Sequence, residues 1–374
     1  MANGFRIARI WKKESRVIEV SEQTWEQNVR KCVPYVAGEQ PEKQRMIKLN
    51  TNECPYPPAP GVKKAEAEMN LGNLRLYPDQ NVTSLVNALA EYYHVSPKQV
   101  FVGVGSDDVL ATSFLTFFNS DKPILFPDVT YSFYDVWANL YRIPFKTCPL
   151  DDDWRINPED YKQPNGGVIF PNPNAPTGVF EPLTKVEEII KANRDVVVIV
   201  DEAYVDFGGE SALPLVEKYD NLLVVQTFSK SRSMAGLRIG FCIGSEKLIK
   251  YLNDVKFSIN SYTMNRPALA LGVEAVKDDA YFKMVTGKII ATRERVKKEL
   301  ADLGFTFPDS KTNFLFASHK TVPAKEIFEA LREKDIYVRH WNKPRIDNSL
   351  RITIGTDEEM DVLIAFLKEY LANK

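Results

Sequence analysis

At 374 residues the chain exceeds what one hydrophobic core usually organises, so two domains with a site between them are expected. Its 48 basic and 50 acidic side chains leave a net charge of −2 and a pI near 6.1, without the basic field of a nucleic-acid binder. The cysteines Cys32, Cys54, Cys148 and Cys242 and the histidines His94, His319 and His340 are too scattered for a disulfide framework or a metal site. No apolar run approaches the roughly 20 residues of a bilayer span, so a soluble, cytoplasmic chain is expected.

In chain order, residues 1–25 interleave Arg6, Arg9, Lys12, Lys13 and Arg16 with Ile7, Ile10 and Trp11. Glu14 and Glu19 fall in the same stretch and no apolar h-region is present, so this is an extension expected to pack on the body or on a partner subunit rather than a transit peptide. Beyond it, strands are expected near 100–104, 123–127, 168–171, 196–200, 222–228 and 238–243. They alternate with helical patterns near 82–93, 108–118, 132–141, 182–193 and 246–257, which argues for a largely parallel sheet covered by helices on both faces. A long helix near 279–303 carries Arg293, Arg295, Lys297 and Lys298 towards solvent. Strands near 313–317, 336–339 and 350–354, with helices near 323–333 and 357–371, make a second, α+β unit. The expected division is an N-terminal arm over 1–50, a large domain over 51–278 and a small one over 279–374.

Chemistry concentrates around Lys230. It follows the apolar run Leu222-Leu223-Val224-Val225, sits in Thr227-Phe228-Ser229-Lys230, and has Arg238 downstream. Desolvation disfavours an ammonium ion and readies an amine to attack a carbonyl. Thr227, Ser229 and Arg238 are the groups a phosphate needs, and the common cofactor with both an aldehyde and a phosphate is pyridoxal 5′-phosphate. A surface lysine on a strand-to-helix turn is the plainer reading of a lone Ser-Lys, so the surroundings must decide.

Upstream, Val196-Val197-Val198-Ile199-Val200 is apolar at every position, as in a strand covered on both faces, and ends in Asp201-Glu202-Ala203-Tyr204. If this strand and the one before Lys230 are parallel, Asp201 and Lys230 share a crevice at the carboxyl ends, where Asp201 could pair with a protonated pyridine nitrogen and Tyr204 with the ring oxygen. Asp201 could equally cap the next turn. Gly103-Val104-Gly105-Ser106-Asp107-Asp108 opens a helix whose free N–H groups suit a phosphate, provided the acidic side chains point away. Tyr131, in Pro127-Asp128-Val129-Thr130-Tyr131, could stack on a planar ring or belong to the core.

The ordered set GVGSDD, PDVTYSFY, NPNAPTG, DEAYVDF, TFSKSRSMAGLRIGF and RITIGT resembles the fold-type-I PLP-dependent aminotransferases over nearly the whole chain. Within them, Pro34-Tyr35-Val36-Ala37-Gly38-Glu39-Gln40-Pro41, Leu49-Asn50-Thr51-Asn52-Glu53 and Leu76-Tyr77-Pro78-Asp79 resemble the branch of histidinol-phosphate aminotransferases. The resemblance implies an α/β fold with a mostly parallel seven-stranded sheet in a large domain beside a smaller α+β domain. It also implies pyridoxal 5′-phosphate bound covalently to Lys230, which then acts as general acid/base. Asp201 would pair with the pyridinium, Tyr204 would bond the ring O3′ and Tyr131 would stack on the ring. Arg238, the Ser229 and Thr227 hydroxyls, the backbone of Ser106 and Asp107, and Tyr77 reaching over from a second subunit would grip the phosphate, which implies a homodimer with shared active sites. Most relatives place asparagine immediately before the Pro-Thr-Gly, where this chain has Ala175. Either Asn174 takes the O3′ contact, or Tyr204 does so with less help.

By the same resemblance Arg351 and Arg339 would bind substrate, and Asn52 and Asn313 would line its pocket. Two converging arginines suit a phosphate dianion; one suits a carboxylate. Arg339 on an edge strand could also be merely solvated. The implied reaction, in histidine biosynthesis, interconverts histidinol phosphate and 2-oxoglutarate with imidazole acetol phosphate and glutamate. A threonine-phosphate decarboxylase and an aminotransferase for aromatic or other amino acids remain open. A cofactor-binding regulator would need a DNA-binding module ahead of the fold, and too few residues precede Pro34-Tyr35 to form one.

Overall fold

The computed structural model describes residues 24–41, 43 and 45–374, which fall into two compact units, 1–33 and 34–374. In the first, Thr24–Asn28 forms a short 3-10 helix. The packing expected of residues 1–25 lies almost entirely outside the described residues.

The second unit opens with strand β1 (Ile47–Lys48) and helices α1 (Pro60–Ala67) and α2 (Thr83–Tyr93). Next come β2 (Val100–Val104), α3 (Ser106–Phe117), β3 (Ile124–Pro127), α4 (Tyr134–Tyr141), β4 (Phe145–Cys148), β5 (Gly167–Pro171) and α5 (Leu183–Ala192). The large sheet is completed by β6 (Val198–Asp201), β7 (Leu222–Thr227) and β8 (Ile239–Gly244), followed by α6 (Glu246–Ile259) and α7 (Arg266–Lys277). The last third holds α8 (Asp279–Asp302), β9 (Phe305–Thr306), β10 (Phe314–His319), α9 (Ala324–Glu333), β11 (Ile336–Tyr337), β12 (Arg339–His340), β13 (Leu350–Thr353) and α10 (Asp357–Ala372).

Seven strands form the large sheet in the order β2-β8-β7-β6-β5-β3-β4. All neighbours are parallel except β8, which runs antiparallel to both β2 and β7. Successive side chains of a strand face opposite ways, so the unbroken apolar runs mean burial on both faces. Val198, Val200, Leu222 and Val224 join one core cluster, with residues of α2, α5 and α7. Ile199, Leu223 and Val225 join a second, with residues of α3, α4 and α6. A third cluster lies where β10 and β13 meet α8, α9 and α10.

Several details depart from expectation. The strand expected near 336–339 is two short ones on different sheets: β11 pairs with β1, and β12 with β13 in the antiparallel sheet β12-β13-β10-β9. The element α7 was not anticipated, although Asn265, whose side chain accepts from Ala268 N, followed by Pro267, is a helix-start signal. Phe145–Cys148 is too polar and too short to read as a strand, and it forms the sheet edge. Arg293, expected in solvent, is only 1% exposed, its guanidinium donating to the carbonyls of Phe207 and Thr312 at 2.7 and 2.8 Å. A guanidinium with its donors satisfied can be buried, and charge alone does not reveal that from sequence.

Candidate active site

Three parallel strands, β5, β6 and β7, end side by side and deliver their following loops to one crevice. Asp201 ends β6 and Lys230 lies just past the end of β7. The crevice has two lobes that share Thr51, Tyr131, Ala175, Tyr204 and Lys230. The inner, about 180 Å³, also takes Ser106, Asp107, Asp201, Thr227, Ser229 and Arg238; the outer, about 220 Å³, takes Tyr35, Asn52, Trp341, Arg339 and Arg351.

The floor of the inner lobe is Asp201, 4% exposed. Its carboxylate accepts from the Tyr134 hydroxyl at 2.9 Å and the Ala203 N–H at 3.2 Å. Burial pushes its pKa up to about 6, further than those two donors pull it down, and the Asp107 carboxylate adds to the rise. No cation among the described residues pairs with it. Half-buried Lys230 donates from Nζ to the Thr51 carbonyl at 3.2 Å and lies 5.7 Å from the Tyr204 ring centre.

At the far end of this lobe Arg238 donates to Asp107 at 3.0 Å and to the Ser229 hydroxyl at 3.3 Å, while Thr227 Oγ1 lies 3.1 Å from Ser229 Oγ. The Asp107 carboxylate does not point away, as a phosphate there was expected to require; Arg238 and the Tyr131 hydroxyl, at 2.7 Å, hold it in the lobe. The other acid does turn back, Asp108 accepting from Val104 N at 2.8 Å. Gly105 caps α3 with a φ of +83°, and a Cβ there would lie 2.5 Å from the Arg238 guanidinium. Only glycine combines that backbone with room for the arginine.

The outer lobe is built on β12 and β13, where Arg339 and Arg351 are directly opposite each other. Like charges so placed repel. Arg351 donates to the Asn50 carbonyl at 2.8 Å, while its Nε is buried without a partner. Burial lowers its pKa, opposed by Tyr204 and Tyr35, and Arg339 lowers it further. Arg339 reaches the carbonyls of Ala37 and Val36 at 3.3 Å. Both guanidinium carbons lie over the Trp341 ring, 5.4 and 5.3 Å from its centre. Asn52 joins the lobes: its amide donates to the Tyr204 hydroxyl at 2.9 Å and its side-chain oxygen accepts from Thr353 at 3.0 Å.

Three expected residues line neither lobe. Asn174 turns its amide to the Val129 carbonyl and Thr177, at 3.0 and 2.9 Å, inside its own loop, leaving the Ala175 methyl at the crevice. Asn313 is fully buried and supports Asn52 by donating to its carbonyl at 2.9 Å. Tyr77 is 77% exposed and stacks on Tyr262, ring centres 4.7 Å apart. Conversely, Tyr134 beneath Asp201 and Trp341 beneath the arginines were not anticipated, since each is an ordinary aromatic until the fold brings it to a charge.

The donor set fits pyridoxal 5′-phosphate. An uncompensated buried acid lines the inner lobe together with a lysine amine, a guanidinium, two hydroxyls and a helix N-terminus.

The profile of the family described as "Aminotransferase class I and II" matches residues 44–367. The histidinol-phosphate aminotransferase of Lactococcus lactis subsp. cremoris (strain MG1363) is 54% identical over 351 residues, 94% of this chain and 99% of that one. The crystal structure of histidinol-phosphate aminotransferase from Sinorhizobium meliloti in complex with pyridoxal 5′-phosphate superposes with a TM-score of 0.80 at 26% identity, covering 87% of this chain and 91% of that one. A putative histidinol-phosphate aminotransferase from Erwinia carotovora atroseptica shares the fold, with a TM-score of 0.82 at 23% identity over 90% of this chain and 99% of its own.

Proposed function

From the premise that the chain belongs to the class I and II aminotransferases, and within them to the histidinol-phosphate aminotransferases, we propose how its residues interconvert histidinol phosphate and 2-oxoglutarate with imidazole acetol phosphate and glutamate in histidine biosynthesis. Pyridoxal 5′-phosphate is the resident cofactor; when bound it supplies an aldehyde that takes up the amino group and a ring that withdraws the electrons released at the substrate carbon. Lys230 would anchor it through Nζ and would then carry the proton of the amine-bearing carbon.

Asp201 would keep the ring nitrogen charged, and that cation would oppose the rise that burial gives the Asp201 pKa. Tyr204, its hydroxyl aimed by Asn52, bonds the ring oxygen, a contact to which Ala175 can add nothing. Tyr131 covers the ring face. Arg238, Ser229, Thr227 and the backbone N–H groups of Ser106 and Asp107 take the cofactor phosphate. Tyr77, exposed and outside the crevice of its own subunit, completes that cradle in a second copy, so the enzyme works as a homodimer. Arg339 and Arg351 bind the substrate phosphate, and Asn52 and Asn313 shape the wall beside it. The division into an arm (1–50), a large domain (51–278) and a small domain (279–374) belongs to the same reading, supported by the separate core cluster under the small sheet. A cytoplasmic location goes with it; among the described residues no helix is long and apolar enough to cross a membrane.

The observation that carries the substrate assignment is the pair of opposed guanidiniums at Arg339 and Arg351, with no carboxylate among the described residues bonded to either. A phosphate dianion neutralises both, where a carboxylate neutralises one. The test starts with the enzyme loaded with pyridoxal 5′-phosphate: L-glutamate should bleach the cofactor absorbance band, and borohydride trapping should place the label on Lys230. Histidinol phosphate should then give the highest kcat/KM among histidinol phosphate, phosphothreonine and phenylalanine. Carbon dioxide released from phosphothreonine would make the enzyme a decarboxylase, and preference for phenylalanine an aromatic aminotransferase.

A further inference from the structure

The connection from β12 to β13 crosses from the small sheet to the large-sheet core. Trp341 at its start and Ile346 further along it pack in the cluster around the large sheet, and both line the outer lobe. Between them stands Arg345, which lines neither lobe. Its φ of +70° is one that side chains other than glycine avoid, so tertiary contacts must hold it there.

Those contacts reach two segments that a hydrogen bond joins, Asp128 and residues 150–154. Arg345 pairs through Nη1 with the Asp128 carboxylate and donates through Nη2 to the carbonyls of Leu150 and Asp151, at 2.8 and 3.3 Å. Its guanidinium carbon lies 5.0 Å from the Trp154 ring centre. Asp128 is itself fixed, its other oxygen accepting from the N–H groups of Val129 and Leu150, both at 2.9 Å. It stands at the end of β3, three residues before Tyr131. The Arg345 pair also neutralises a carboxylate that lines the lobe where the substrate anion binds.

We propose that Arg345 is a positioning residue of the substrate lobe. Through Asp128 and the Leu150 and Asp151 carbonyls it docks the loop 341–346 onto the end of β3, and so holds Trp341, the ring beneath both guanidiniums, where Arg339 and Arg351 converge on the substrate anion. The inference rests on the substrate reading above, and its test separates the two.

The test compares purified, cofactor-loaded Arg345→Met, Arg345→Lys, Asp128→Asn and the double variant Asp128→Asn/Arg345→Met with the parent. Arg345→Met should raise KM for histidinol phosphate about tenfold and change kcat less than about twofold, since displacing the wall weakens binding of substrate and transition state alike. Thermal stability and the cofactor absorbance band should match the parent, Arg345→Lys should recover part of the KM, and the double variant should be no worse than Arg345→Met. An unchanged KM in Arg345→Met, loss of kcat together with the absorbance band, or additive effects in the double variant would overturn the proposal. A parent inactive on histidinol phosphate but active on phenylalanine would sink the substrate reading instead, and the same KM comparison with phenylalanine would still decide the loop.

Discussion

The two lobes of the crevice are electrostatic opposites built by the same device. At the floor of the inner lobe a buried acid pairs with no cation among the described residues, and burial lifts its pKa to about 6. In the outer lobe the half-buried Arg351 guanidinium has no acid paired with it among the described residues, and desolvation together with a second guanidinium pushes its pKa down. Charges are seldom buried without partners, because desolvation costs more than isolated hydrogen bonds return. Arg293 is the contrast within the same molecule: more deeply buried than Arg351, but with two carbonyls and the Glu294 carboxylate on its guanidinium and no place in the crevice. Where a charge is left uncompensated, a ligand completes it, and the sign of the charge states the sign of the ligand group.

The sharpest break in this comparison comes from the amine shared by the two lobes. Lys230→Ala should lower kcat by at least about 10⁴-fold, since covalent anchor and proton carrier are lost together, and the absorbance of lysine-bound cofactor should vanish. Residual turnover near the parent rate would remove Lys230 from the chemistry. Next is the floor. Asp201→Asn keeps the shape but cannot carry a negative charge, and should cost about 10² to 10³ in kcat, measured with pyridoxal 5′-phosphate saturating.

The outer lobe should respond more mildly. Arg351→Met or Arg339→Met should each cost about 1.5 to 3 kcal/mol in kcat/KM for histidinol phosphate. Equal sensitivity with phenylalanine would mean that the pair reads something other than the second phosphate charge. Arg351→Met should leave the ligand-free protein at least as stable to heat as the parent, because it removes a half-buried charge with no anionic partner among the described residues.

A separate effect is on stability without cofactor. A carboxyl whose pKa is raised on folding stabilises the fold below its unfolded value, near 4, and that stabilisation is lost as pH rises through the folded value. Asp201, raised to about 6, and Glu202, raised to about 7 by burial against the pull of Ser211, Ala212 N–H and Gln226, should therefore make the cofactor-free protein lose stability between pH 4 and about 7. Asp201→Asn should recover at most about 3 kcal/mol of that loss at pH 8 in urea unfolding, from a shift of about two pH units. A curve identical to the parent would show that Asp201 is not strained in the empty lobe.

What could be read without coordinates follows from periodicity and local chemistry. The runs Val196-Val197-Val198-Ile199-Val200 and Leu222-Leu223-Val224-Val225 announce covered strands because every position is apolar, and the residues closing them announce a crevice because parallel strands deliver their carboxyl ends to one edge. Asp201, Lys230, Ser229 and Arg238 were therefore legible, and so were the broad fold and most of its helices.

Partnership was not legible, because hydrogen bonds and burial join residues whose spacing along the sequence, from a few positions to more than two hundred, does not announce the contact. Only the folded chain turns Asn174 into its own loop, sets Asn313 behind Asn52 and puts Trp341 under two guanidiniums. It also sinks Arg293 into the interior and ties Arg345 to Asp128. Alternation of apolar side chains sets which residues face the core, since that is a property of neighbours along a strand. Which buried charges find partners and which wait for a ligand depends on desolvation and geometry across the whole fold, and only the tertiary structure decided it.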